Sequence, residues 1–490
     1  MWFSEFKYEP VVKFGNLMNW TTMGLGNHDF DLGAEDLADF SYQTNIDLLA
    51  CNMKQNETDE NQINFKDSKI VEVQGARIGI IGYVTSQTPN ITASNLPTLT
   101  FLDEIESVRK EAQRLKGLDP PIDILIALGH AGYVKDMEMA EKIPEIDIVV
   151  GGHSHSFLYT GPVSSNMVEE VEGEFPTYVT QPNGKVVPVV QVYKYSKYLG
   201  FLTLNFNGEG ELVEPVNGNG VSTADVVLID ERFPRNEWIE GELEKYREQL
   251  SEYYPKIGES NVLLEKHLSK ESNIGNVLTD SMAWYSKWND TNIAFINDGG
   301  IRGTIEIGSI TGEDIIGVLP FGNTIDRVTM YGRSIKGLFE EYAKGLCVDQ
   351  SCVPPTFLQM SGLQVIYDIY PDVTEDRVTS IKERCGDLWC DLDMDKLYPV
   401  ALVSFLAHGG SYLFNFPDWI ESLEIGDVDY AAFKQYVAQN SPINMTTEGR
   451  ITVNYHDTPS NYGEGRVGLV NQMKLSMIMC LSVIFTTSYL

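Results

Sequence analysis

Four of the chain's seven histidines lie in three glycine-containing motifs, each of which follows an apolar run. Glycine lets the backbone turn sharply and approach its neighbours closely. Imidazole nitrogens and an asparagine carbonyl oxygen can hold a divalent ion such as zinc or manganese. A single histidine at a strand end is more often structural, but four in this repeated context predict a metal centre. The motifs are Gly26-Asn27-His28-Asp29-Phe30-Asp31, Leu128-Gly129-His130 and Gly151-Gly152-His153-Ser154-His155.

The spacing within these motifs indicates what the metal centre does. His153 and His155 are separated by one residue, which can direct the two rings at neighbouring metals. Two ions about 3.5 to 4 Å apart bind phosphoryl oxygens and generate hydroxide for in-line attack. A nearby aspartate fits the role of orienting His28, and from the residues alone both Asp29 and Asp31 are candidates.

Three further glycine-rich segments lie in the second half of the chain. Gly-Gly pairs alone are weak turn signals. An isolated Phe is usually part of a core, but Phe321 and Phe405 each adjoin a glycine-rich segment, which favours contact with a ligand. The segments are Asn297-Asp298-Gly299-Gly300-Ile301-Arg302, Leu319-Pro320-Phe321-Gly322 and Phe405-Leu406-Ala407-His408-Gly409-Gly410.

The histidine motifs need a sheet to bring them together. From about residue 21 to 206, short apolar runs alternate with amphipathic segments, which predicts an α/β arrangement of strands and crossover helices. The predicted strands include 77–84, 123–128 and 146–150. The motifs therefore fall just beyond the carboxyl ends of strands, where α/β sheets place their chemistry. A charged amphipathic segment at 236–254 predicts an exposed connecting helix.

The charge, the cysteines and the glycosylation sequons limit the possible binding partners and the cellular compartment. A net charge of −34 disfavours nucleic-acid binding, although a small anionic substrate remains possible. The close pairs Cys347–Cys352 and Cys385–Cys390 predict short-loop disulfides formed in an oxidising compartment, whereas Cys51 is expected to be a buried free thiol. Glycosylation sequons occur at Asn19, Asn56, Asn90, Asn289 and Asn444.

The two chain ends give different expectations. The uncharged run 475–490 follows a polar stretch, 461–474, which contains small residues, and this order predicts a glycolipid-anchor signal. We therefore expect the protein on the extracellular face of the plasma membrane, or secreted. Such a protein needs a leader, and residues 1–7 do not resemble one. We expect that an N-terminal portion precedes this sequence.

The three histidine motifs, in this order, resemble the calcineurin-like metallophosphoesterase domain of 5′-nucleotidases. The later segments, with Glu271-Ser272-Asn273-Ile274-Gly275-Asn276, resemble the C-terminal domain of the same family. The resemblance implies a four-layer αββα metallophosphoesterase domain at 1–231, a connecting helix at 232–257 and an α+β substrate-binding domain at 258–455. Residues 456–490 form the spacer and anchor signal. Homodimers are expected, since related proteins often dimerise.

The resemblance also implies roles for single residues. Asn27, His130 and His153 would ligate one metal and His155 the other. Zinc is expected first, with manganese, cobalt or magnesium as alternatives. His28, oriented by Asp31, would stabilise charge at the phosphoryl group or the leaving oxygen. In the C-terminal domain the implied nucleotide contacts are the stacking rings of Phe321 and Phe405, the guanidinium of Arg302 and the amide of Asn297.

The sequence departs from the family pattern in three places. Leu268 replaces an Arg, and Ser411 replaces an Asp, which puts phosphate and ribose contacts in question, although His267 or Lys270 can compensate for the Arg. The family also needs an earlier Asp-x-His pair and an Asp that bridges both metals, but residues 1–25 contain no Asp or His.

The leading interpretation is a nucleoside 5′-monophosphatase, with an apyrase-like ATP or ADP hydrolase and a non-catalytic nucleotide-binding surface protein as alternatives.

These absences predict that the 490-residue chain by itself binds metal poorly and hydrolyses little or no AMP. Without a bridging carboxylate, two neighbouring cations repel each other. The measurement is phosphate release from AMP by the purified chain, with His153→Ala as the control. Turnover clearly above that control would contradict the prediction.

Overall fold

The structure is a computed structural model of the chain. It describes residues 5–456 apart from 57–60, 93, 162–166, 168, 170, 195, 208–209, 211, 213–220, 268–269, 286–289, 345, 347–357, 371–375, 387 and 410–415. The described residues form two compact units, which meet in the sequence between Asn236 and Glu237. The anchor signal, Cys347, Cys352, Asn289, Leu268 and Ser411 lie outside the described residues.

The first unit is built on a six-stranded sheet in the order β4-β5-β7-β8-β10-β9, accompanied by two-stranded pairs. Its strands are β1 Met23–Gly24, β2 Leu48–Leu49, β3 Met53–Gln55, β4 Ser68–Val73, β5 Ala76–Val84, β6 Leu99–Phe101, β7 Ile124–His130, β8 Ile148–Val150, β9 Thr177–Thr180, β10 Val186–Val190, β11 Tyr198–Leu204 and β12 Val221–Leu228. Its helices are α1 Glu9–Gly15, α2 Gly33–Gln43, α3 Thr88–Ile91, α4 Glu104–Lys116 and α5 Tyr133–Lys142.

The centre of this sheet is parallel: β5 pairs with β7, β7 with β8, and β8 with β10. Helix α4 connects β5 to β7, and α5 connects β7 to β8. The central strands are nearly all buried, as expected for parallel strands that are covered on both faces. The α/β expectation for this half of the chain is confirmed. The carboxyl ends of β5, β7 and β8 consequently share one edge.

The second unit contains a five-stranded sheet, β17-β14-β21-β16-β22, and a four-stranded sheet, β20-β19-β18-β23. Its strands are β13 Lys256–Ser260, β14 Ile293–Asn297, β15 Gly308–Thr311, β16 Ile325–Tyr331, β17 Leu358–Ser361, β18 Leu363–Ile369, β19 Val378–Cys385, β20 Leu388–Asp391, β21 Leu397–Val403, β22 Ser422–Glu424 and β23 Ile451–Tyr455. Its helices are α6 Glu237–Gln249, α7 Asn273–Trp284, α8 Gly312–Val318, α9 Gly332–Lys344, α10 Ser404–Ala407 and α11 Asp429–Asn440. Its mixed helices and strands confirm the expected α+β class.

Several features tied to the compartment fall on described residues. Cys385 and Cys390 are joined by a disulfide that closes the turn between β19 and β20. Cys51 is a buried free thiol, and burial raises its pKa. The sequon residues Asn19, Asn56, Asn90 and Asn444 are all exposed. Within the described part of the chain, every helix is too short or too polar to cross a bilayer.

Helix α8 begins with a reciprocal cap. The Asp314 backbone N–H donates to Thr311 Oγ1 at 3.3 Å, and the Thr311 backbone N–H donates to Asp314 Oδ2 at 2.8 Å. The cap satisfies N–H groups that lack partners in the first turn of a helix.

We predict that Thr311→Ala weakens helix α8 by about 1 kcal/mol, because the replacement leaves a first-turn N–H without its acceptor. Amide hydrogen exchange within α8 measures this loss, and the α8 amides should exchange about fivefold faster. Thr311→Ser retains the hydroxyl and should exchange like the parent. Equal exchange in the Ala variant and the parent would contradict the prediction.

Candidate active site

The carboxyl edge of the six-stranded sheet carries the histidine motifs. His130 is the last residue of β7, and Gly151-Gly152-His153 follow β8 directly. Asn27 and His28 begin a short 3₁₀ turn, Asn27–Phe30, that follows β1. A Cβ on Gly24 of β1 would come within 3.3 Å of the Leu128 carbonyl oxygen, so β1 runs close beside β7. The topology thus brings all three motifs to one place.

Two imidazole nitrogens face one amide oxygen at this edge. Asn27 Oδ1 lies 3.1 Å from His130 Nε2 and 3.0 Å from His153 Nδ1. Asn27 is 2% exposed, which holds its amide in place. Desolvation of the ring keeps the pKa of His130 well below its ordinary value, and nearby His153 adds to this shift. His130 is therefore neutral at physiological pH, which is the form that binds metal.

The loop after β8 has a backbone that few residues other than glycine adopt. His153 and His155 have φ values of 91° and 70°. Left-handed conformations in non-glycine residues are uncommon and concentrate at functional sites. Gly152 is equally constrained, because a Cβ there would lie 2.9 Å from His130 Nδ1. Along this path the loop brings His153 to Asn27.

A buried polar cluster lies behind the same loop. The Tyr83 hydroxyl donates to Asp136 Oδ1 at 2.6 Å, and Gln191 Nε2 donates to Asp136 Oδ2 at 2.5 Å. Burial raises the pKa of Asp136 to about 8. A Cβ on Gly151 would lie 1.7 Å from Asp136 Oδ2, and one on Gly129 would lie 2.4 Å from the Tyr83 ring. The cluster therefore packs directly on the glycines that lead into His130 and His153.

His28 is paired with Asp31 rather than with Asp29. His28 Nδ1 lies 2.8 Å from Asp31 Oδ2. Asp29 instead turns back and accepts from the Gly26 backbone N–H at 2.8 Å. Burial raises the pKa of Asp29 to about 6. The choice between the two aspartates, which the sequence leaves open, falls on Asp31 in the structure.

His155 has a neighbour that the sequence did not suggest. Lys194 Nζ lies 3.4 Å from His155 Nδ1 and 5.4 Å from the centre of the Tyr193 ring. An ammonium beside a ring nitrogen competes with a metal for that atom. Asn27 Oδ1 thus has one nitrogen of His130 and one of His153 within 3.1 Å, whereas His155 lies beside a cation.

In the second unit, the segments carrying Phe321 and Phe405 are tied together through Asn323. Asn323 Oδ1 accepts from the Phe405 backbone N–H at 3.2 Å and from Ser404 Oγ at 3.2 Å. The Thr324 backbone N–H in turn donates to Ser404 Oγ at 3.1 Å. Both aromatic residues are half-buried. Phe321 precedes Asn323 by two residues, and the Phe405 backbone is itself one of the groups bonded to Asn323.

The segment after β14 carries the other two predicted nucleotide contacts. Asn297 is 4% exposed, and within the described residues its Oδ1 atom has no hydrogen-bond partner. The Arg302 guanidinium lies over the Phe321 ring, 5.6 Å from its centre. Lys266 Nζ donates to the carbonyl oxygens of Asp298 and Ile301, and these two hydrogen bonds hold the segment in place. Desolvation lowers the pKa of Lys266.

His267 and Lys270, the two residues suggested as replacements for the lost Arg, are both among the described residues. Lys270 is exposed, and its carbonyl accepts from Gln359 Nε2 at 2.9 Å. His267 Nε2 lies 3.9 Å from Glu265 Oε1. Lys266 was missed by sequence reasoning, because a lysine among polar residues gives no signal of burial. Lys194 and Asp136 were also missed, because their contacts with His155, Tyr83 and Gln191 join residues far apart in the chain.

Comparisons with known proteins agree with this architecture. The calcineurin-like phosphoesterase family matches residues 2–157, and the 5′-nucleotidase C-terminal domain family matches residues 256–417. The mouse 5′-nucleotidase is 34% identical over 476 residues, covering 92% of this chain and 79% of the mouse protein. A venom 5′-nucleotidase of Gloydius brevicauda is 32% identical over 478 residues, covering 92% and 78%.

A solved structure supports the same assignment. The 5′-nucleotidase precursor of Thermus thermophilus superposes with a TM-score of 0.83 at 29% identity, covering 93% of this chain and 88% of that one. The fold is that of a two-domain phosphoesterase. The chain belongs to the 5′-nucleotidase family, a family of phosphoric monoester hydrolases.

Membership of this family implies divalent metal ions, and the residues can be tested for them. Among the described residues, no three His, Cys, Asp or Glu side chains gather as a metal site. The group around Asn27 escapes that pattern because its third donor is an amide oxygen. An amide oxygen and two imidazole nitrogens are donors that zinc or manganese binds, and the Asn27 oxygen lies 3.1 and 3.0 Å from the nitrogens of His130 and His153.

We predict that Gly151→Ala displaces the loop after β8, because the new methyl group would overlap Asp136 Oδ2. Overpacking of this kind costs about 1–3 kcal/mol, and a calorimetric scan should show a lower melting temperature for the first unit. Gly15→Ala in α1 of the same unit is the matched control, since its Cβ position makes only an ordinary contact, 3.5 Å from Ile46 Cδ1, and Ala favours a helix. A Gly151→Ala protein as stable as the parent would contradict this packing.

Proposed function

We propose that this protein hydrolyses nucleoside 5′-monophosphates, AMP to adenosine and phosphate foremost, in a reaction that depends on divalent metal. The observation that carries the proposal is the meeting of His130 Nε2 and His153 Nδ1 at Asn27 Oδ1. The His28–Asp31 pair belongs to the same turn as Asn27. Metal donors and a candidate acid therefore stand together at the edge where α/β sheets bind substrates.

In this proposal Asn27, His130 and His153 hold one ion and His155 contributes to the other. Zinc is the first candidate, with manganese, cobalt or magnesium as alternatives, because imidazole suits zinc and oxygen donors broaden the choice. When bound, such ions supply Lewis acidity and a hydroxide nucleophile. The pairing of His155 with Lys194 makes the second position the weaker of the two.

The reaction moves a phosphoryl group from the nucleoside to water. A bond forms between phosphorus and the water oxygen, the bond from phosphorus to the 5′-oxygen breaks, and the 5′-oxygen takes up a proton. Asp31 accepts from Nδ1–H of His28, so Nε2 of this ring is the nitrogen that can share a proton with the phosphoryl or leaving oxygen. Asp31 also stabilises the positive charge that a doubly protonated ring carries.

The second unit would bind the nucleoside. Phe321 and Phe405 offer rings on which a base can stack, and stacking contributes about 1–3 kcal/mol per base in single-strand binders. Asn297, whose buried Oδ1 has no hydrogen-bond partner among the described residues, is the candidate amide contact to the nucleoside. Arg302, near Phe321, offers a guanidinium to phosphate or ribose.

We further propose an extracellular protein, glycolipid-anchored or secreted, that acts on small molecules, does not bind nucleic acid, and forms homodimers. The disulfide Cys385–Cys390 and the four exposed sequon asparagines support this compartment. The similarity to a venom 5′-nucleotidase also supports it. The net charge of −34 disfavours a polyanionic partner.

The decisive assay measures phosphate release from AMP, ADP and ATP with added Zn²⁺ or Mn²⁺. The proteins are the 490-residue chain and a chimera in which an N-terminal segment of the mouse 5′-nucleotidase precedes Met1. We expect the chimera to hydrolyse AMP in preference to ADP and ATP. Preference for ATP or ADP would favour the apyrase-like alternative. Nucleotide binding without hydrolysis in either protein would favour a binding role and contradict the proposal.

Two variants separate binding from chemistry in the active preparation. His28→Ala should lower kcat about 10²–10⁴-fold, since general acid catalysis contributes that much. Phe321→Ala should raise KM about tenfold or more with little change in kcat, because it removes stacking from ground and transition states alike. Trp389→Ala, in strand β20 and partly exposed, is the control for losing an aromatic side chain. An unchanged KM in Phe321→Ala would contradict the stacking role.

A further inference from the structure

The carboxylate of Asp31 is held at both oxygens. Asp31 Oδ2 pairs with His28 Nδ1 at 2.8 Å, and Asp31 Oδ1 accepts from the Thr92 hydroxyl at 3.0 Å. The Asp31 side chain is 9% exposed and Thr92 is 6% exposed. Water therefore has little access to replace the hydroxyl if it is removed. The three side chains form a chain of hydrogen bonds from Thr92 to the imidazole ring.

The segment that carries Thr92 is hydrogen-bonded to β7, the strand that ends at His130. The Thr85 backbone N–H donates to the carbonyl oxygen of His130, the last residue of β7, at 2.9 Å. Thr88 Oγ1 donates to the Thr85 carbonyl at 2.7 Å, and the Thr92 backbone N–H donates to the Thr88 carbonyl at 3.0 Å. Helix α3 and the residues on either side of it therefore connect β7 to Asp31.

The same segment also fixes the Asp31 backbone. Ser94 Oγ donates to the Asp31 carbonyl oxygen at 2.7 Å. The backbone and the side chain of Asp31 are therefore both positioned by residues that follow α3. A carboxylate held at two points cannot rotate freely about its χ2 bond, which keeps one oxygen aimed at His28.

We propose that Thr92 is a positioning residue for the His28–Asp31 pair: its hydroxyl fixes the Asp31 carboxylate and thereby the tautomer and orientation of the His28 ring. This inference rests on the proposed role of His28. The other ionisable groups that face the pair are Asp29, Tyr8 and His130. Asp31 Oδ1, the oxygen that does not pair with His28, accepts from the Thr92 hydroxyl.

Thr92 carries a second demand through the sequon Asn90-Ile91-Thr92. A hydroxyl residue is required there for glycan attachment at Asn90, which is exposed. The two demands can be separated by substitution. Thr92→Ser keeps the hydroxyl that contacts Asp31 and the glycosylation site at Asn90. Thr92→Val removes both the hydroxyl and the glycosylation site, and Asn90→Gln removes only the glycosylation site.

The test measures the tautomer of neutral His28 by nitrogen-detected correlation spectra of histidine-labelled full-length protein. Only seven histidines are present, and His28→Gln assigns the signal. The parent, Thr92→Ser and Asn90→Gln should show His28 mainly as the Nδ1–H tautomer. Thr92→Val should lose about half or more of that tautomer, because a mobile carboxylate no longer selects one nitrogen. The other six histidine signals report whether each variant is folded.

Two outcomes separate failure of this inference from failure of the proposed function. A folded Thr92→Val protein with the parent's tautomer ratio overturns the positioning role. If Asp31→Ala also leaves the ratio unchanged, the His28–Asp31 pair itself is absent and the proposed function loses its acid. In a preparation that turns over AMP, Thr92→Val should lower kcat about tenfold at unchanged KM, and Thr92→Ser should restore kcat.

Discussion

The close approach of backbone and side chains at the carboxyl edge of the parallel sheet is the constraint on which the rest of the site depends. Gly151 leaves no room for a Cβ against Asp136, and Gly152 leaves none against the ring of His130. With these glycines in place, the loop after β8 can fold back with His153 in a left-handed conformation. Its Nδ1 atom then meets Asn27 Oδ1 beside His130.

Behind this edge, buried polar groups hold the geometry from the core side. Tyr83 of β5 and Gln191, just after β10, both donate to Asp136 of α5, so two strands and a helix are joined at one carboxyl group. On the other side, α3 links β7 to Asp31 through Thr88 and Thr92. The donor triad and the His28–Asp31 pair are therefore parts of one connected network. Supporting contacts of this kind orient the side chains that bind a metal.

Much of this arrangement follows from the sequence, because its signals are local. Apolar runs followed by Gly-His motifs predicted the α/β class and the strand ends that carry His130 and His153. Sequence alone could not choose between Asp29 and Asp31, since the choice depends on how the 3₁₀ turn at Asn27–Phe30 closes. Thr92 showed only its sequon, and Lys194 gave no sign that it would lie near His155. These contacts join residues far apart in the chain.

The second unit shows the reverse case, where a motif serves the fold. Glu271 is buried and accepts from the backbone N–H groups of Glu448 and Arg450, as well as from Asn276 Nδ2. Asn273 Nδ2 donates to the carbonyl oxygens of Leu263 and Met445. The segment 271–276 thus joins helix α7 to the chain near β23. The contacts of this segment are structural, whereas the candidate ligand contacts lie on the segments around Asn297, Phe321 and Phe405.

The central claim is that Asn27, His130 and His153 together hold a divalent ion. Its most direct test is anomalous diffraction from crystals of the full chain grown with millimolar Mn²⁺ or Zn²⁺, a concentration high enough to occupy the weak site that the sequence predicts. The claim predicts an anomalous peak within about 2.0–2.3 Å of Asn27 Oδ1, His130 Nε2 and His153 Nδ1. The peak should be absent in His153→Ala crystals. An ordered site without a peak, or a peak that avoids these three atoms, would contradict it.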